Sequence, residues 1–495
     1  MYKKFMAYFF MCFCMLPLFS GCNKDNLKTV SKNLTNYDIT VDFDIDTKVL
    51  TAKQTVDYIN ASDVVLDYVD FHLYPNAFDA GVKNSPVSLG DKTKAYPNGI
   101  DYGKINISLL TVENNPEKIN VCGEDNTILK VDLNQGLYPM DRVKIYMEYV
   151  VLLPNVIHRF GYGENTYNFG NFYPVACVYE NGDFMTKPYN SNGDPFYSEM
   201  ANYSVDITTN KNLVLATTGD KVEVKTENEK TTTSVVANVV RDFAFILSEE
   251  FLVESEKVGD IEVNYFYFSD KNPKQSLKTS VDAIKTFSNL FGDYPYKQLS
   301  VAEANFLHGG MEYPNLVFIS NLVDVYSEYT NVIVHEIAHQ WWYNLVGNNE
   351  FVSSWLDEGL TEYSTLMFYD ENPDYEVKTS ESKSNSLSSY LLFVDVYTSV
   401  YGDVDTTMNR SLDEYRSEVE YVYITYVKGM LLFDNIDEII GREKFIKCLR
   451  KYFKENCFKI ATPEKLISAF EDGSGVELES FFDSWISGKV VLKNY

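Results

Sequence analysis

Residues 332–342 read VIVHEIAHQWW, which places His335 and His339 four apart with Glu336 between them. On a helix, side chains four apart lie one above the other, so both imidazoles can reach one ion. The surrounding segment is apolar on most sides, and an unpaired polar group in such a core costs about 2–7 kcal/mol. A zinc ion gives all three groups a partner: the imidazoles bind it at about 2.0–2.1 Å, and Glu336 sits beside the fourth position, where a water belongs. A third protein ligand is then required. His72, His158 and His308 lie far away in the chain, whereas SSWLDEGLTEY, residues 353–363, offers Glu358 close by. Asp357 and Glu362 are neighbours whose charges suit a helix N-terminus and a solvated face. Two histidines, a glutamate and one open position make a catalytic zinc set, with one zinc per chain, rather than a closed structural one.

These residues need elements to hold them. Residues 331–346 are expected to form a buried helix that stops at Gly347. Ser354 and Asp357 have capping-box spacing, which starts a second helix with Glu358 in its first turn. Upstream, PKQSLKTSVDAIKTFSNLF has apolar residues three and four apart and is followed by Gly292, and helical patterns dominate from about residue 326 onward. From about residue 35 to 250 the pattern is different. YDITVDFDID, VLTAKQTVDYIN, NYSVDIT and TTTSVVANVV alternate apolar with polar, as strands of an antiparallel sandwich do. The chain therefore divides into an N-terminal antiparallel β-sandwich-like domain, 35–250, and a mostly helical domain, 251–495, in a multidomain α+β protein.

Three ordered motifs give this chain a resemblance. His335, Glu336 and His339, followed after eighteen residues by Glu358, resemble the gluzincin aminopeptidases, the family of aminopeptidase N and leukotriene hydrolase. HGGMEYP, residues 308–314, resembles the family's Gly-x-Met-Glu-Asn exopeptidase motif, and TYVKGMLLF, residues 425–433, resembles its Tyr-x-Lys-Gly segment. FHLYPNAF and VVRDFAF are similar to its N-terminal β domain. The resemblance implies a thermolysin-like zinc peptidase domain. It implies His335, His339 and Glu358 as zinc ligands, Glu336 as general base and Tyr426 as donor to the tetrahedral oxyanion. Glu312 would hold the free α-ammonium of a peptide. Gly309, Gly310 and Met311 would line the substrate path, the glycines letting an extended backbone approach. The β domain would lend a second acid for the ammonium, and Glu180 is the candidate. Two positions depart from the pattern: Tyr313 stands where Asn is usual, and Thr365 where some relatives carry an acid.

Hydrophobic residues make up 45% of the chain and charged ones 23%, the composition of a folded protein. A formal net charge of −28 excludes nucleic acid as a partner, because phosphates would be repelled. Lys3 and Lys4, the apolar residues 5–20 and the small Ser20 and Gly21 before Cys22 resemble a bacterial lipoprotein leader, 1–21. Cys22 would then carry the lipid, residues 22–34 would form a tether, and the protein would sit outside the cytoplasmic membrane. Among the remaining cysteines, a Cys448–Cys457 disulfide and buried free thiols are both open. The function expected is that of an aminopeptidase acting on peptides with a free N-terminus. The alternatives are an endopeptidase or epoxide hydrolase on the same zinc site, which Glu312 argues against, and an inert peptide-binding lipoprotein, which the complete set of groups argues against.

Overall fold

The computed structural model describes residues 24–490; the leader and Cys22 lie outside them. In Thr35–Asp44 the alternation buries Ile39, Val41 and Phe43 and leaves Asp38, Thr40 and Asp42 to solvent, as a sheet with one wet face requires. The strand lies inside an eight-stranded sheet of order Asp220–Glu227, Lys230–Val240, Ala201–Asn210, Thr35–Asp44, Val49–Ile59, Arg142–Leu152, Lys104–Val112 and Asn115–Pro116. One pairing departs from the expected antiparallel pattern: Thr35–Asp44 runs parallel to Ala201–Asn210, which the long intervening chain permits. Two four-stranded sheets form the second layer. Phe43 meets Phe169 of one of them edge-on at 5.0 Å, and Gln54 donates to the Pro174 carbonyl beside the other.

A further sheet begins at Leu252 and has five strands, in the order Leu252–Val258, Ile261–Tyr267, Gln298–Ala304, Leu316–Ser320 and Gly310–Met311. Around it are α1 (Pro273–Phe291), α2 (Tyr326–Ala338), α3 (Glu358–Glu371), α4 (Thr379–Tyr401), α5 (Lys428–Ile440), α6 (Arg442–Asn456), α7 (Pro463–Ser474) and α8 (Glu479–Ile486). α1 follows the sequence expectation closely: Leu277, Val281, Ile284, Phe287 and Phe291 are buried, and Gly292 with φ 143° ends it. Cys448 is a buried free thiol, so the Cys448–Cys457 bridge does not form.

The helix carrying the two histidines is shorter than its apolar pattern suggests. α2 ends at Ala338, and His339 is its C-cap. Beyond it, Trp341 donates its indole N–H to the Gly292 carbonyl and Trp342 donates to the Ser364 hydroxyl, so two adjacent indoles must enter different parts of the core. A continuing helix would turn them only about 100° apart. The chain unwinds instead, with Tyr343 at φ 140°, and Val346–Gly347 joins a small parallel pair with Lys459–Ile460. Gly347 is therefore no helix stop. A Cβ there would stand 2.1 Å from the Arg241 guanidinium carbon.

Arg241 joins the two domains. It leaves its strand just after Val239, a β-branched residue at φ 58°, a conformation held against strain by surrounding contacts. Its buried guanidinium donates to the carbonyls of Ser198 in the β domain and of Tyr343, Asn344 and Lys459 in the helical one. Gln298 adds bonds to the Thr217 and Gly219 carbonyls, and the Asn305 side chain accepts from the amides of Asn165 and Thr166.

α3 and α5 cross where two glycines touch, and a Cβ on Gly359 would lie 2.8 Å from the Gly429 Cα. This approach seats Glu358, one residue before Gly359, against Tyr426, three before Gly429. Gly429→Ala should therefore push α3 outward and cost about 1–3 kcal/mol of stability, as overpacked cores do. Thermal unfolding and zinc content together check this: a lower melting temperature with weakened zinc retention is expected, and unchanged values of both would contradict the contact.

Candidate metal and substrate site

His335 faces inward from the last turn of α2, His339 from its C-cap and Glu358 from the first residue of α3. Their ligating atoms converge. His335 Nε2 and His339 Nε2 are 3.1 Å apart, and both lie 3.1–3.2 Å from Glu358 Oε2. All three residues are buried, and among the described residues they form the one group of three or more His, Cys, Asp and Glu side chains able to hold a metal ion. The tautomer fits as well. His339 Nδ1 lies 2.9 Å from the Trp342 carbonyl, so Nδ1 carries the proton and Nε2 presents a lone pair. His335 Nδ1 lies 3.3 Å from Glu362 Oε1, which orients that ring in the same way. A nitrogen, nitrogen, oxygen set with room for a fourth group suits zinc.

Without a metal, the same atoms form an imidazolium–carboxylate cluster. Burial opposes charge on His339, but the charges of Glu358 and Glu312 lift it to about 10. His335 is lifted likewise, against its burial, by Glu358 and Glu362. Glu358, although buried, is held well below the usual carboxylate range by His339 and His335. Zinc must displace these imidazolium protons. Its uptake should therefore release protons near pH 7, and affinity should rise with pH until His339 has lost its proton near pH 10. Adding zinc to chelator-stripped protein in weak buffer measures this directly; zinc binding with no proton release would exclude the charged cluster.

Glu336 projects beside these ligands. It is buried, its Oε2 has no hydrogen-bond partner, and burial raises it to about 7, with the two histidines pulling the other way. The edge strand Gly310–Met311 lies against it, and a Cβ on Gly310 would stand 2.4 Å from Glu336 Oε1. Gly310 thus lacks a side chain because the Glu336 carboxyl occupies that space. Gly309 is under no such pressure: a Cβ there would be 3.5 Å from its nearest neighbour, Val332. Met311 is buried and does not line the cavity, a correction to its expected role.

A cavity of about 460 Å³ opens onto the metal set. It is lined by Glu312, Glu336, Gly309, Gly310 and Tyr426 and, from the β domain, by Arg159 and Asp194. Glu312 is buried with Oε1 unpartnered, and burial followed by the charge of Asp194 raises it well above the ordinary range. Tyr426 sits in a π-helical turn, Tyr423–Val427, and its hydroxyl donates to Glu358 Oε1, leaving Oε2 for the metal. Glu180 is not at this cavity. It lies in the hairpin of Tyr179–Glu180 with Asp183–Phe184 and accepts a hydrogen bond from Tyr197 at 3.1 Å. The β domain turns two acids to the cavity, Asp91 and Asp194, and Asp194 is the one ion-paired with the buried Arg159. Its signal in the sequence was the GDPF segment itself, a glycine turn at Gly193 (φ 63°) that aims the next residue inward.

Other residues show why the motifs look as they do. Tyr313 fills space left by Gly170, where a Cβ would meet its hydroxyl at 1.8 Å, and that hydroxyl donates to Asn171 in the β domain. The departure from Asn at this position is thus matched across the domain interface. Thr365 donates to the Thr361 carbonyl one turn back, while Thr361 Oγ1 lies 3.2 Å from His339 Nδ1. The expected capping box at Ser354 and Asp357 does not form. Ser354–Leu356 is a 3-10 turn, the Ser354 hydroxyl has no partner, and α3 starts without a side-chain cap.

Residues 275–485 match the model of the Peptidase family M1 domain. Aminopeptidase 2 of Candida albicans is 25% identical over 320 residues, covering 59% of this chain and 33% of its own length. Leucine aminopeptidase 2 of Lodderomyces elongisporus is 28% identical over 198 residues, covering 36% of this chain and 31% of its own. The chain thus spans about a third of the length of these curated relatives. Among solved structures, the M1 zinc metallopeptidase of Deinococcus radiodurans superposes with a TM-score of 0.66 at 16% identity, covering 93% of this chain and 95% of that one. A mutant of that enzyme bound to the substrate Tyr-Ser-Ala superposes with a TM-score of 0.64 at 14% identity. The β-rich domain followed by a helical domain is the fold of these structures.

Proposed function

We propose that this protein is a zinc aminopeptidase that removes N-terminal residues from peptides. The observation that carries the reading is Glu312, a buried carboxyl with an unpartnered oxygen, in the same cavity as the three converging ligand atoms and Glu336. A carboxylate at that depth is costly unless a cation joins it, and the α-ammonium of a peptide is such a cation. Asp194 faces the same cavity, ion-paired there with Arg159. The M1 match and the names of the aminopeptidases it resembles support the same class.

When bound, zinc would polarise the scissile carbonyl and acidify a water molecule. Glu336, poised near neutrality by burial, takes a proton from that water and passes it to the leaving amine. The Tyr426 hydroxyl, which donates to Glu358 Oε1 in this structure, would turn from it to donate to the oxygen that gains charge in the transition state. Glu312 fixes how far the substrate enters, since its N-terminus must reach this carboxylate.

We also propose that Cys22 carries a lipid that anchors the protein outside the cytoplasmic membrane. The basic residues, apolar run and small residues before Cys22 support this. Fractionation of cells expressing Cys22→Ser tests it, with release from the membrane fraction expected and unchanged retention overturning the anchor.

The decisive measurement for the activity is kcat/KM for one peptide with a free and an acetylated N-terminus. The free form should be favoured by roughly a thousandfold, because a blocked terminus leaves Glu312 buried and unpaired. Glu312→Ala should slow the free peptide and narrow the gap. Equal cleavage of both peptides by the parent would defeat the aminopeptidase reading, with the zinc site left intact.

A further inference from the structure

Tyr426 is presented by a π-helical turn rather than by regular α-helix. The turn, Tyr423–Val427, lies between a short helix, Glu418–Val422, and α5. Such turns are rare and occur mostly as single-turn insertions in α-helices, frequently at functional sites. The residue that closes this one is Lys428, whose backbone N–H bonds the Tyr423 carbonyl. Its side chain points the other way, into the core. Lys428 is fully buried, and its ammonium donates to the carbonyls of Thr406, at 2.6 Å, and Trp485, at 2.8 Å.

Among the described residues no carboxylate lies within ion-pair distance of that ammonium; burial lowers it to about 7, with the Asp405 charge helping it from further away and Arg410 opposing it. A lysine in such a place is expensive, and a methionine would fill the same space without the cost. What the lysine adds is the pair of bonds. They tie the tyrosine turn to the last residues of α8 and to the 404–410 segment. That segment is itself fastened to the C-terminal end by the Met408 amide donating to the Ile486 carbonyl and the Thr406 hydroxyl donating to the Gly488 carbonyl. Arg410 returns from it to Glu420, at 3.2 Å, on the helix that enters the turn. Asn409 accepts from Ser353 and Trp355, next to the segment that delivers Glu358.

The geometry points to Lys428 as a positioning residue for Tyr426: it clamps the π-helical turn to the C-terminal strap, residues 485–488, so that the strap governs turnover without touching metal or substrate. This rests on the aminopeptidase reading for the role of Tyr426, but the clamp itself can be measured without activity.

The test uses the full chain and the variants Lys428→Met, Tyr426→Phe and their combination. Lys428→Met should keep zinc and hold KM within about threefold while kcat falls about 10- to 100-fold, the cost of misplacing a catalytic group by about an ångström. In the Tyr426→Phe background the same change should alter kcat by less than about threefold, because the two act through one hydroxyl. A general structural role would cost as much in either background, and that result overturns the proposal. Amide hydrogen exchange across 423–427, read on zinc-free protein, should quicken by about tenfold or more in Lys428→Met; unchanged exchange overturns the clamp whatever the kinetics show.

Should Lys428→Met fail to fold, Gly488→Ala decides. Its φ of 74° and a Cβ only 2.8 Å from the Thr407 amide would lift the strap off the 404–410 segment from the outside. The same split between kcat and KM and the same faster exchange are expected, and parental values for both overturn the inference. A parent that hydrolyses no peptide defeats the aminopeptidase reading alone, since the exchange measurement still tests the clamp.

Discussion

Three polar atoms that converge to about 3 Å inside a core set the terms for everything around them. Two lone pairs and a carboxylate cannot share that space unless protons or a cation neutralise them, so the site must be built for an ion and held against its own repulsion. The fold does this with rigid pieces. α2 supplies both histidines one turn apart, the Gly359–Gly429 crossing brings in Glu358, and the unwound stretch after His339 turns the Trp342 carbonyl back onto its Nδ1. That stretch could not stay open on its own. Arg241, arriving from the other domain, takes up the Tyr343 and Asn344 carbonyls that the unwinding leaves free.

Parts of this were legible in the chain. Helical spacing made the histidine pair plain, and the alternation of Thr35–Asp44 and Val49–Ile59 fixed which faces are buried, because both depend on nearest neighbours along one element. The end of α2 was not legible: an apolar run such as IAHQWWYNLV looks the same whether it winds on as helix or splits its indoles between two parts of the core. Gly347 and Gly310 were readable as glycines but not for their reasons. One yields to a guanidinium some hundred residues upstream and the other to the buried Glu336 carboxyl, neither of which local pattern encodes. Asp194 escaped for a similar cause. Choosing between it and Glu180 needs the path of the loop between them, and both are acids near a turn.

The cavity also shows how an acid-rich protein arranges its charges. Asp194, Glu312, Glu336, Glu358 and Glu362 all line one space, and left to themselves they would raise one another's proton affinity. Three of them have an opposite partner: Glu358 faces two imidazoles, Glu362 faces the outer nitrogen of His335, and Asp194 has Arg159. Glu312 and Glu336 are buried, each keeps an oxygen without a partner, and burial raises the proton affinity of both. The same burial therefore does two jobs. On the proposed reading it would make Glu336 a base near neutrality and Glu312 a receptor that ionises when an ammonium arrives.

Those two carboxyls are mechanically joined as well. Gly310 touches Glu336 so closely that no side chain fits between them, and Glu312 follows two residues later, just past the end of that edge strand. Asn344, from the stretch that Arg241 braces, donates to the Glu312 carbonyl and fixes the end of that strand. The Glu312 and Glu336 carboxyls are thus placed by one short stretch of backbone. A shift of that stretch that lengthened the pocket would also move it off Glu336, so on the proposed aminopeptidase reading the separation between ammonium and scissile bond would be built into the backbone rather than adjusted by mobile side chains.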